Sequence, residues 1–176
     1  MRLRTLTALA AAAASLAAAP AALAQTSTVG STNGTPTMNI CVLGFNCTYI
    51  NFSAGKPTDV VKRTGTIMSW SLNAGSQGGQ VRLRVLRPAA NGNFKAIRSS
   101  VLRTVSTTGL NTFPAHLAVK KGDVLALSND SSGIYMAQSP TSTIRYFSNP
   151  FSDGSTGQPN STATQLHLLL SAQIHS

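Results

Sequence analysis

The chain has 176 residues and a formal net charge of +10, from 14 Lys and Arg residues against 4 Asp residues and no Glu. This length is enough for one ordinary domain. So few carboxylates argue against chemistries that need several of them, such as all-oxygen Ca²⁺ or Mg²⁺ cages and glycosidase acid pairs.

The first 24 residues have the pattern of a cleaved secretory signal. Arg2 and Arg4 precede an almost continuous apolar run at 6–19, and an A-x-A cleavage motif follows at 22–24. We therefore predict a signal peptide over 1–24 and a secreted, extracellular protein. A membrane helix is the alternative, but the run is short and rich in alanine, and no other stretch is apolar enough to span a bilayer.

Residues 25–37 form the next compositional segment. Val29 is their only aliphatic residue, among Ser, Thr, Gly, Asn and Pro, so burial cannot offset the entropy lost on ordering. This composition predicts a flexible linker. From residue 38, short segments with period-two alternation are separated by turn residues, which predicts one antiparallel β-sandwich domain over 38–176.

Three predicted strands are clear. In 65–72, Met68 and Trp70 share the expected core face, and in 165–175 an aliphatic row marks the last strand. In the third, 80–86, alternation predicts an aliphatic face in the core and an arginine face in water. Shorter strands are predicted at 39–43, 48–52, 59–61, 94–98, 101–105, 112–118, 124–129, 134–138 and 143–147.

Cys41 and Cys47 are the only two cysteines. In an oxidising compartment we expect them to form a disulfide, because a three-residue hairpin loop at 43–45 would place them opposite each other on two strands. Closing so short a loop should stabilise the fold by about 2 kcal/mol. A redox or zinc site is the alternative, but two thiols without an adjacent histidine are too few ligands for zinc.

Basic residues near the 80–86 strand make up the main candidate site. Arg82 and Arg84 share one strand face, and Lys95, Arg98 and Arg103 follow on segments that could lie beside them. Such a surface would attract a polysaccharide or an anionic polymer of the cell envelope. The alternative is a solvated strand face that prevents edge aggregation. Nucleic acid is not an expected partner, because no recognition motif accompanies the charge.

Aromatic side chains are the candidates for sugar stacking. Trp70 alternates in phase with core residues, so packing is the favoured interpretation. Tyr49 also has a polar edge that suits a sugar contact. Tyr135 and Tyr146 lie near Ser- and Asn-rich loops and are the better candidate ligand contacts.

Catalytic and metal motifs are absent from the sequence. There is no G-x-S-x-G elbow, and His116, His167 and His175 have no metal-ligand spacing. Asp130 and Asp153 lie in polar loops that Asx turns explain more simply than calcium. We therefore predict no catalytic residue, no metal and no cofactor.

Two segments, 65–88 and 109–127, resemble known sequences. They contain GTIMSWS, LRVLRP, LNTFP and a later GD. This series resembles a group of uncharacterised secreted proteins from high-GC Gram-positive bacteria. The resemblance implies a β-sandwich of jelly-roll type and implies no activity.

The sequence favours a secreted, non-catalytic module that binds an extracellular polymer, either polysaccharide or an anionic envelope component. One alternative is a structural protein that self-associates through strand edges. The other is a hydrolase with an unrecognised site around His116 and Asp123. The sequence does not determine the oligomeric state.

Overall fold

Two antiparallel β-sheets pack against each other in the computed structural model, which describes residues 25–40, 46–75, 79–130 and 134–176. This confirms the predicted β-sandwich. The predicted signal peptide at 1–24 and Cys41 lie outside the described residues. Within those ranges, no helix has the length and apolar character needed to cross a membrane.

The described residues form fourteen strands in the two sheets. They are β1 (Thr26–Gly30), β2 (Met38–Asn39), β3 (Thr48–Ser53), β4 (Lys56–Pro57), β5 (Gly65–Ala74), β6 (Gln80–Pro88), β7 (Phe94–Ser99), β8 (Arg103–Thr104), β9 (Gly109–Val119), β10 (Val124–Asn129), β11 (Tyr135–Phe147), β12 (Thr156–Gly157), β13 (Ser161–His167) and β14 (Leu170–His175). The smaller sheet has the order β1-β14-β5-β9. The larger sheet has the central order β12-β7-β6-β10-β3-β11-β13, and β2, β4 and β8 pair with β11, β3 and β6.

Trp70 lies at the centre of the core between the sheets, as the alternation of its strand predicts. It is fully buried, and its ring centroid lies 4.6 Å from that of Phe113. Met68, predicted on the same face, is instead exposed. A register shift of β5 against β9 between Ile67 and Ser69 changes the phase of the strand, so Ile67 takes the buried position.

The predicted last strand, 165–175, is two strands in two different sheets. β13 pairs with β11 in the larger sheet, and β14 pairs with β5 and β1 in the smaller one. Leu168 and Leu169 carry the chain between them and are both buried. The predicted aliphatic face is correct, because Leu168 belongs to the same core as the aliphatic residues before and after it.

Where the chain passes from the larger sheet to the smaller one, the side-chain amide of Asn51 makes hydrogen bonds of the kind that a neighbouring strand would make. Its Oδ1 accepts a hydrogen bond from the Leu168 amide nitrogen at 2.8 Å, and its Nδ2 donates to the Leu168 carbonyl at 2.8 Å. The same Nδ2 donates to Asp59 Oδ2 at 2.8 Å. Asn51 therefore satisfies both backbone polar groups of a buried residue that leaves one sheet for the other.

The predicted linker at 25–37 contains a strand. β1 pairs with β14 over five register positions, and Val29 is buried in the core. The prediction of flexibility over this whole segment is therefore wrong. Backbone hydrogen bonds to a neighbouring strand do not depend on the side chains, so a Ser- and Thr-rich segment can order without a large apolar face.

Candidate functional site

The predicted basic face of β6 is largely engaged within the protein. Arg84 is only 7% exposed, its Nη1 lies 2.9 Å from Asp153 Oδ1, and its Nε donates to Ser128. Arg82 is half-buried and pairs with Asp130 at 2.6 Å. The expectation that both guanidiniums face solvent is wrong for Arg84.

The loop at 148–155, between β11 and β12, covers Arg84 on the outer face of the larger sheet. In this loop, Phe151 stacks on Phe147 with ring centroids 3.8 Å apart, in a second apolar cluster. The same loop brings Asp153 to Arg84 and to the hydroxyl of Ser99. Strand alternation predicts two faces, but it contains no information on a distant segment that covers the polar one.

The other predicted ligand residues do not converge. Arg98 is exposed on β7, and Arg103 is half-buried on β8. Tyr146 is half-buried between the sheets beside Tyr49, with ring centroids 5.9 Å apart, so neither ring is an exposed stacking platform. Burial raises the pKa of the Tyr49 hydroxyl. Tyr135 begins β11, and its side chain lies outside the described part of the chain.

Cys47 is buried next to β3, and its backbone nitrogen donates to Asn129 Oδ1 at 3.0 Å. Its predicted disulfide partner, Cys41, lies outside the described residues. The disulfide therefore stays a prediction.

His116 and Asp123 do not form the catalytic pair considered from the sequence. Arg87 binds both carboxylate oxygens of Asp123, through Nε at 2.8 Å and Nη2 at 3.0 Å. Asp123 is buried there, whereas His116 is exposed on β9. Among the described residues, no group of three or more His, Cys, Asp or Glu side chains is placed to hold a metal ion.

Each of the four carboxylates in the chain has an internal role. Asp59 is buried, and Asp130, Asp153 and Asp123 form ion pairs with Arg82, Arg84 and Arg87. Every other cation in the described ranges lacks a carboxylate partner, namely Lys56, Lys62, Arg63, Lys95, Arg98, Arg103, Lys120, Lys121 and Arg145. The positive charge at the surface is therefore not neutralised locally.

Four of these cations lie on two adjacent loops, which we call the basic loop pair: Lys62, Arg63, Lys120 and Lys121. The backbone joins the loops, since Gly122 N donates to Val61 O at 2.9 Å and Val61 N donates to Asp123 O at 2.8 Å. In addition, Lys121 N donates to Thr64 Oγ1 at 3.2 Å. All four cationic side chains are exposed.

The turn between β9 and β10 fixes one half of this site. Asp123 N donates to Lys120 O at 3.0 Å, Lys120 N donates to Asp123 Oδ2 at 2.8 Å, and Gly122 has the positive φ that this turn requires. The carboxylate at the base of the turn is buried and shared with Arg87. It therefore does little to cancel the exposed charges beyond it.

Two dibasic pairs were the sequence signal for this site. Lys62-Arg63 precedes Thr-Gly, and Lys120-Lys121 precedes Gly-Asp, so each pair lies beside a turn residue. Strand alternation gives no information about either pair, because both lie in loops. It has no means of bringing together two loops that lie far apart in the chain.

Asp59 gives the fold a pH dependence. Burial raises the pKa of its carboxyl, whereas the hydrogen bond from Asn51, the charge of His167 and the hydrogen bond from Thr58 act in the opposite direction. Because the folded-state pKa lies above the unfolded value of about 4, the carboxyl's contribution to stability is fully present below that pH. It is lost as the pH rises through the folded-state pKa.

Asp59→Asn is therefore expected to flatten the fall in stability that the wild type shows as the pH rises above about 4, and to be more stable than the wild type above the folded-state pKa. The amide keeps the shape of the carboxyl and removes the buried charge. Urea unfolding across this pH range measures the effect, and Asp130→Asn, at a half-exposed position, is the control. If the free energy of unfolding of Asp59→Asn and that of the wild type changed with pH in the same way, the raised pKa of Asp59 would be contradicted.

Comparisons of the chain with known protein families, with curated proteins and with solved structures find no match.

Proposed function

We propose that this protein is a secreted, non-catalytic module that binds an anionic extracellular polymer through the basic loop pair. The observation that carries the proposal is the charge balance there. Four exposed cations lie on two loops that are joined at the backbone of Asp123, and the carboxylate of Asp123 is buried and already paired with Arg87. The proposed ligand is an anionic polysaccharide or a phosphate-bearing envelope polymer. It combines the two ligand classes that are expected from the sequence.

A polymer suits this site better than a small anion. The four cations are solvent-exposed on two loops, so a single anion would gain little from any one of them. A polymer offers several charges in series and releases condensed counterions at each contact, which makes binding steeply dependent on salt. The net charge of the chain also steers such a partner towards it over about 10 Å at moderate salt.

Lys120→Gln with Lys121→Gln is expected to weaken binding to dextran sulfate at low salt by about thirtyfold. The reason is that each cation near an anionic surface contributes about 1 kcal/mol. Fluorescence titration at several salt concentrations measures both quantities: the dissociation constant should rise and the salt slope should become shallower. The double substitution Lys62→Gln with Arg63→Gln should have a similar effect, because the two loops form one site.

The matched control is Lys56→Gln with Arg98→Gln, which removes the same charge from β4 and β7. This control should weaken binding much less. An equal loss in both double variants would show that only net charge matters and would overturn the assignment to the basic loop pair. Light scattering of the protein alone, at the same salt concentrations, separates binding from self-association.

Self-association is the second candidate function, and the free edge of the smaller sheet favours it. β9 pairs with β5 on one side, and no described strand pairs with its other side. Val101, Leu102 and Leu110 are exposed aliphatic residues, and Val101 lines a pocket beside β9. An open edge with apolar residues nearby is a template for strand pairing between copies.

A further inference from the structure

Two adjoining pockets lie where β11 and β13 meet the segment at 33–38. They have volumes of about 500 and 240 Å³, and Gln138 and Ser139 line both of them. In a chain with a net charge of +10, neither pocket has a Lys, Arg, Asp or Glu in its lining, and His167 is the titratable residue that lines the larger one. The site is therefore unsuited to the anionic groups that the basic loop pair attracts.

Carboxamides and hydroxyls dominate the lining. The side chains of Asn33, Gln138 and Gln165 have no hydrogen-bond partner within the described part of the chain, so their donors and acceptors are available to a ligand. Ser139 donates to Ser142 at 2.8 Å, which orients a pair of hydroxyls on the pocket wall. Each free carboxamide presents one donor and one acceptor side by side, which matches two neighbouring hydroxyl groups.

Backbone irregularities on both strands shape these pockets. β11 has a register shift between Gln138 and Thr143, where it pairs with β13, and such bulges re-aim side chains. Opposite the bulge, Gln165 has a φ of 59°, a left-handed conformation that is uncommon for residues other than glycine. Glutamine at a position that favours glycine points to a role for its side chain.

The smaller pocket also has an apolar side. Met38, Pro140 and Leu166 line it together with the two glutamines. A pyranose ring has the same division, with hydroxyls around its edge and C–H groups on its face. Ligand pockets commonly combine apolar walls with a few placed polar groups in this way.

We propose that the two adjoining pockets bind adjacent units of a neutral oligosaccharide. The hydroxyls of the sugar bond to Gln138, Gln165 and Asn33, and its C–H face packs on Met38 and Pro140. This site is separate from the basic loop pair, and the proposal does not depend on the proposed function. It predicts binding that is insensitive to salt, because the side chains that bond to the sugar are uncharged carboxamides.

The experiment is isothermal titration calorimetry of the full chain with maltotetraose, cellotetraose and tetraacetylchitotetraose, at low and high salt. Binding of at least one sugar with the same affinity at both salt concentrations is expected. Gln138→Ala with Gln165→Gly should weaken that binding about tenfold, through the loss of hydrogen bonds. The Gln165→Gly change relaxes the left-handed backbone, so the melting temperature should not fall because of it.

Two controls make the result specific to the site. Gln173→Ala removes an exposed glutamine from β14 and should leave sugar binding unchanged. The double variant of Lys120 and Lys121 to Gln should also bind the sugar normally, which separates this site from the anionic one. The proposal would be overturned if none of the three sugars bound, or if the double variant Gln138→Ala with Gln165→Gly bound the sugar as tightly as the wild type.

Discussion

Asn51→Ala is expected to lower the free energy of unfolding by about 4 kcal/mol, since buried polar groups left unpaired cost about 1 to 3 kcal/mol each. The substitution removes three hydrogen bonds at once. The Leu168 amide nitrogen loses its acceptor and Asp59 Oδ2 loses its donor, whereas the Leu168 carbonyl keeps the hydrogen bond from Leu170 N at 3.0 Å. Asn51 and Leu168 are almost fully buried, so water cannot easily replace the amide.

Urea unfolding followed by circular dichroism measures this effect. Asn160→Ala is the control, because the Asn160 amide accepts from the backbone nitrogen of Ser148 and donates to its hydroxyl, two hydrogen bonds that lie in an exposed loop. The control should cost less than about 1 kcal/mol. Equal costs for the two variants would show that the crossing between the sheets does not depend on Asn51.

Asp153→Ala is expected to destabilise the fold by about 3 kcal/mol, whereas Arg84→Met should change stability by less than about 1 kcal/mol. The asymmetry follows from burial. The side chain of Arg84 is 8% exposed and that of Asp153 is 46% exposed. Removal of Asp153 leaves a buried guanidinium without its carboxylate, whereas removal of Arg84 leaves a carboxylate that water can solvate.

Arg84→Met also keeps the apolar stem of the side chain, and Ser128 keeps its hydrogen bond to Thr48 at 2.7 Å. Thermal unfolding of both variants shows which substitution costs more stability. Asp130→Ala is the control, because it breaks an ion pair with Arg82 that is partly exposed on both sides and should cost about 1 kcal/mol or less. A larger loss for Arg84→Met than for Asp153→Ala would contradict this account of the loop.

Residue pattern alone determined the architecture and much of the core. Period-two alternation places Val81, Leu83 and Val85 in the interior as predicted, because alternate residues of a strand face opposite sides of a sheet. The same pattern identified Trp70 as a core residue. It also identified the aliphatic face of the last segment, although it could not show that the chain changes sheets there.

Period-two alternation could not predict local irregularities of the strands. A register shift beside Met68 reverses which side of β5 is buried, and such a shift depends on the partner strand. Asn51 is read from the sequence as an ordinary strand residue, yet it supports a crossing 117 positions away. Neither feature has a local sequence signature.

The charged groups show most clearly which features the sequence determines and which ones depend on the tertiary structure. The excess of cations is a property of composition and was evident from the sequence. Which cations remain free was decided by the tertiary structure, because only folding brings Asp153 onto Arg84, buries Asp123 against Arg87 and joins the loops of Lys62 and Lys120. Ion pairing depends on distance in space, and residues far apart in sequence supplied three carboxylates to three arginines.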